Sequence, residues 1–129
     1  MNRVKQFILV LTIAVTPQTG HAFAATNGLR VNPVNSVVFE VNDWRGARAP
    51  AYWCAAANYA KRELKAGWKV KLFIVRTMGP STTSDRGSAV HYTIDPGAAG
   101  VTAAGPSSSM EQFLVGDNMT LQQANTYCR

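Results

Sequence analysis

Two cysteines, Cys54 and Cys128, constrain this chain more than any other feature, because a bond between them would tie its middle to its penultimate residue. Such a bond would close a loop of about 74 residues, for which loop-closure entropy gives roughly 4 kcal/mol of stabilisation. That is a large share of the net stability of a small domain. Thiols pair in oxidising surroundings and stay reduced in the cytosol, so the fold is coupled to the compartment.

The N-terminus bears on that compartment. Arg3 and Lys5 precede an apolar stretch from Phe7 to Val15, and Ala22, Phe23 and Ala24 form a small-x-small pattern. A cationic start, an apolar centre and a small-residue cut site are the three parts of an export signal. Residues 1–24 are therefore expected to be removed, leaving a single domain over 25–129 that is periplasmic or secreted. At about nine residues the apolar stretch is too short for a transmembrane segment. No cysteine follows the expected cut to accept a lipid. A Cys54–Cys128 disulfide is then the expected state.

Loss of the signal leaves 11 Lys and Arg against 7 Asp and Glu, a net charge of +4, and His91 as the only histidine. One histidine and two paired cysteines cannot build the usual soft metal sites, and the carboxylates are scattered singly. No metal or cofactor is expected. Neither a glycine-flanked nucleophile elbow nor a Gly-Lys-Ser/Thr phosphate loop occurs.

With 47% apolar and 16% charged residues the chain can fill a core, and its patterning predicts an α+β domain. Residues 25–35 read as an irregular arm and Ser36–Val41 as a first strand. After a loop holding Trp44 between cations, Ala51–Ala66 reads as a helix, with Trp53, Ala57, Ala60 and Leu64 as its apolar stripe and Gly67 reversing the chain beyond it. Lys69–Arg76 and Ser88–Ile94 alternate as strands. The Gly, Ala, Pro and Ser-rich stretch 95–109 reads as a long mobile loop, and Met110–Val115 as a possible edge strand. Thr120 and Gln123 form a capping-box pattern that opens a short terminal helix through Cys128. The expected architecture is a small, largely antiparallel sheet of three or four strands, with one long helix and a short C-terminal helix on one face, stapled by one disulfide.

The strings at Tyr52–Tyr59 (YWCAAANY), Arg76–Ser81 (RTMGPS) and Arg86–Val90 (RGSAV) resemble those of small exported bacterial proteins of no known activity. The resemblance spans roughly 52–96 and implies export, and nothing about chemistry.

Two parts of the chain invite a functional reading. The loop after the second predicted strand carries Ser81, Thr82 and Arg86, whose hydroxyls, backbone N–H groups and cation are the components of an anion site. With Arg76, Lys69 and Lys71 they suggest a binding module for an anionic surface, an acidic polysaccharide or another exported protein. Nucleic acid is disfavoured by the modest charge and by export. The alternatives are a small periplasmic hydrolase using His91, with Ser84, Asp85 or Ser88 beside it, and an inhibitor of another exported protein.

Overall fold

In the computed structural model, residues 23–105 and 110–129 are described; most of the expected export signal and positions 106–109 of the expected loop lie outside them. Six strands and three helices follow in the order β1 (Phe23–Ala24), β2 (Arg30–Pro33), β3 (Phe39–Asp43), α1 (Ala49–Arg62), β4 (Lys71–Pro80), β5 (Ser88–Thr93), α2 (Pro96–Ala99), β6 (Asn118–Thr120) and α3 (Leu121–Asn125). The strands form one antiparallel sheet in the order β1-β2-β3-β5-β4-β6. The class is α+β, as expected, but the sheet has six strands instead of three or four.

Of the two unexpected strands at one edge, β1 is formed by the last two residues of the expected export signal and β2 by the supposed arm. Val31 lies opposite Val41, and Phe23 opposite Val31. Both β1 and β2 are too short to show a period of their own, and pairing with β3 defines them.

At the other edge, the strand expected at Met110–Val115 is a 3-10 turn over Met110–Gln112. Phe113 then takes a left-handed conformation (φ 46°) and sets its ring edge-on against Tyr52 at 5.4 Å. A residue held there cannot continue a strand. The edge position belongs to β6, where Thr120 faces Lys71 and Asn118 faces Phe73. The expected loop 95–109 also contains α2, whose N-terminus is capped by Asp95 accepting from the Ala98 N–H.

Helix α1 starts at Ala49, with Pro50 in its first turn, where a missing N–H is harmless. Its final turn is closed by the Ala66 N–H donating to Ala60 O at 3.0 Å. Lys65, with φ 57°, makes the reversal expected of Gly67. The helix is therefore 14 residues long, and Leu64 lies past its end and is exposed. Trp53, Ala57 and Ala60 are buried as the stripe predicts.

Phe39, Val41, Leu72, Ile74, Val90 and Tyr92 form the sheet's side of that core. An aromatic run crosses it: Trp53 meets Tyr92 at 5.1 Å, Tyr92 meets Phe39 at 6.1 Å, and Phe39 meets Tyr59 at 4.6 Å.

Cys54 and Cys128 are bonded, with Cα atoms 5.0 Å apart. The capping box forms as read, Thr120 Oγ1 accepting from the Gln123 N–H and Gln123 Oε1 from the Thr120 N–H. Helix α3 is shorter than expected, ending at Asn125, and it buries Leu121 and Ala124. Among the described residues no helix is long and apolar enough to cross a membrane.

Candidate functional site

Strand β3 is buried on both faces, with Phe39 and Val41 toward the helices and Glu40 and Asn42 on the far side. Glu40 lies opposite His91, and Asn42 opposite Ala89. A carboxylate at 0% exposure needs dense hydrogen bonding. The loop between β4 and β5 supplies it. Ser81 and Thr83 hydroxyls donate to Oε1, and the Thr82 N–H donates to Oε2 at 3.0 Å. The Thr83 N–H donates to Oε1 at 3.2 Å, and the Thr82 hydroxyl to Oε2 at 3.2 Å.

Burial pushes the Glu40 pKa up, but the Ser81 and Thr83 hydroxyls and the Thr82 and Thr83 N–H groups outweigh it, taking the value from 4.5 to about 2. The loop that reads in sequence as an anion cradle thus holds an anion from its own chain.

His91 Nε2 lies 3.1 Å from Glu40 Oε2. Burial and the nearby Arg76 charge lower its pKa below 6.5, outweighing the attraction of Glu40. The contact is therefore a neutral imidazole N–H donating to a carboxylate. Thr82 Oγ1 approaches the same nitrogen, at 3.3 Å. A hydrolytic triad uses the two ring nitrogens separately, one oriented by the acid and the other taking the nucleophile's proton. Here both partners share one nitrogen and the hydroxyl donates to the acid, so the cluster anchors a loop. Among the described residues His91 makes no hydrogen bond to Ser84, Asp85 or Ser88.

The same loop then carries Arg86 to the end of the sheet. Asn42 Nδ2 donates to Arg86 O at 3.1 Å. Gly87 has φ +105°, and a Cβ there would fall 2.1 Å from Asn42 Oδ1, so the turn accepts only glycine. The Arg86 guanidinium lies 4.8 Å from the centre of the Trp44 ring, and Arg45 approaches the same ring at 5.8 Å. Trp44 is 59% exposed. Asp43, Trp44, Ala47, Tyr52, Met78 and Arg86 line an open cavity of about 570 Å³ there.

The cavity's base is tied by hydrogen bonds. Asp43 accepts from the Ala47 N–H at 2.7 Å and the Arg45 N–H at 3.1 Å, and Tyr52 donates its hydroxyl to Ser88 O at 2.8 Å. Burial raises the Asp43 pKa, but the Ala47 N–H and Arg45 pull it below 3.8. Burial and the Asp43 charge together push Tyr52 up to about 12.

The cations singled out in sequence do not converge. Arg76 is drawn into the bulged β4–β5 pairing, donating to Pro80 O and Ala89 O, each at 2.8 Å. Lys71 begins β4 beside Thr120, and Pro80 ends it opposite Ser88. At about 3.3 Å per residue, and allowing for its bulges, this strand separates the exposed Lys69 and Lys71 from the Arg86 end by more than about 20 Å. Ser81 and Thr82 serve Glu40, and Arg86 alone of the set faces the cavity. Sequence reading missed Glu40, although an acid inside the apolar run Val37–Val41 requires partners, and a loop of four consecutive hydroxyl residues, Ser81 to Ser84, offers them. No known protein family, curated protein or solved structure matches the chain.

Proposed function

We propose that this protein is an exported binding module whose recognition site is the Trp44–Arg86 rim at the end of the sheet, and that it takes an anionic partner, an acidic polysaccharide in first place. The observation that carries the reading is the exposed Trp44 indole with the Arg86 guanidinium over it. Among the described residues, the Arg86 side chain makes no hydrogen bond or salt bridge. A guanidinium stacked on an aromatic keeps its donor fork free for carboxylate or sulfate, while the indole offers a flat apolar surface to a sugar ring. The disulfide agrees with an oxidising destination. Among the described residues no nucleophile meets the second ring nitrogen of His91, which speaks against hydrolysis.

The test is binding to heparin and to polygalacturonate at low and high salt. Trp44→Ala and Arg86→Ala should each weaken binding about tenfold, roughly 1.4 kcal/mol. Binding should fall steeply with salt, since exposed charges are screened over about 8 Å at physiological ionic strength. Lys69→Glu with Lys71→Glu, at the far end of β4, should change it little. Unchanged binding in the Trp44 and Arg86 variants, or its loss in the lysine variant, would retire the proposal.

A further inference from the structure

The residues Gly20, Ala22 and Ala24 offer a signal peptidase two frames, since small side chains at the first and third positions before the cut are what it reads. One frame releases a chain beginning at Ala25, and the other a chain beginning at Phe23. We infer that the cut falls between Ala22 and Phe23, so that Phe23 and Ala24 belong to the finished domain; this rests on the export reading above. In the reaction water adds across the Ala22–Phe23 amide, leaving a carboxylate on Ala22 and an ammonium on Phe23.

The fold argues for this product in two ways. First, Phe23 and Ala24 are β1: they pair with Val31 and Arg30 and form the outermost strand of the sheet. The Phe23 ring stands edge-on to Tyr59 at 5.5 Å, extending the aromatic run that passes through Phe39, Tyr92 and Trp53. A chain starting at Ala25 would lack the strand and the ring, and would leave β2 as an unpaired edge.

Second, the cut decides where a new positive charge sits. Ala25 is 6% exposed and belongs to the core, and its N–H donates to Leu29 O at 2.9 Å. An α-ammonium there would be a buried charge with a carbonyl, not a carboxylate, as partner. At Phe23, which is half-buried at the sheet's edge, the ammonium is two residues farther from the core.

The experiment is the intact mass of the full-length protein exported from a bacterial host, as wild type, Gly20→Leu and Ala24→Leu. The inference expects a chain beginning at Phe23 in the wild type and in Ala24→Leu, with processing blocked or shifted in Gly20→Leu. A wild-type chain beginning at Ala25, or processing blocked by Ala24→Leu alone, would overturn it while leaving export intact. An unprocessed chain still carrying Met1 would overturn the export reading as well. Proteins made to begin at Phe23 and at Ala25 should also differ in melting temperature, the Ala25 form melting lower by roughly 5 °C or more. Equal melting temperatures would count against a structural role for β1.

Discussion

Reduction of the Cys54–Cys128 bond should lower the melting temperature by roughly 15–20 °C, the larger part of what separates a stable small domain from an unfolded one at 37 °C. The bond spans 74 residues, and loop closure of that length is worth about 4 kcal/mol, acting mainly by restricting the unfolded chain. Its local effect should be as informative. Helix α3 has five residues, too few to persist alone, and stays in place because Leu121 and Ala124 are buried and Cys128 is tethered to the fully buried Cys54. Hydrogen exchange in the reduced protein should therefore show the α3 amides opening first, ahead of β3 and β5. A double Cys54→Ala and Cys128→Ala variant should reproduce both effects without reductant. A reduced protein that melts within a few degrees of the oxidised one, with α3 still protected, would contradict this account.

Where the chain carries its structural information locally, the sequence is legible. Helix α1 follows from an Ala-rich stripe and an early proline, β5 and most of β4 from strict alternation, and the start of α3 from its capping box. What escaped is information held by partners distant in sequence. Strand β2 has a single buried apolar residue, Val31, and it is a strand because β3 offers it a register. Met110–Val115 alternates as a strand should, yet β4 is already paired with β6, and Phe113 turns inward to Tyr52.

The candidate site divides in the same way. Ser81, Thr82 and Thr83 announce an anion cradle in their residue types, but its occupant comes from about 41 positions earlier and arrives only through the pairing of β3 with β5. The basic residues fail as a patch because a strand separates what the sequence lists together: Lys71 and Arg86 are 15 positions apart and belong to opposite ends of β4. Trp44 between its cations was visible, but its cavity was not, since Met78 and Tyr52 come from other elements.

Glu40 is the group whose loss should be felt both in stability and at the rim. Lowering its pKa from 4.5 to about 2 corresponds to about 3 kcal/mol of native stability. Because the folded value is the depressed one, that contribution is fully present above about pH 4.5 and is lost as pH falls from there toward 2. His91 acts in the same direction over a higher range. Its folded pKa lies below 6.5, so the unfolded chain binds the extra proton first and stability begins to fall below about pH 6.5. The wild type should thus weaken progressively from about pH 6.5 to 2. In Glu40→Gln the Glu40 share of the decline below pH 4.5 should be absent, leaving the smaller fall that the depressed Asp43 carboxyl contributes below about pH 3.8, and stability at pH 7 should be lower by about 3 kcal/mol. The amide keeps the side chain's shape but presents an NH₂ group to a cradle built of donors, so the Ser81–Gly87 loop should come loose, with faster exchange at Thr82 and Thr83. Arg86 rides on that loop, so polyanion binding should fall in Glu40→Gln although Glu40 itself is buried and touches no partner. Urea melts at pH 7 and pH 3, with the heparin assay run on the same samples, test both parts. An unchanged pH profile in Glu40→Gln would show that the cradle does not hold the charge, and full polyanion binding by a destabilised Glu40→Gln would separate the loop from the recognition site.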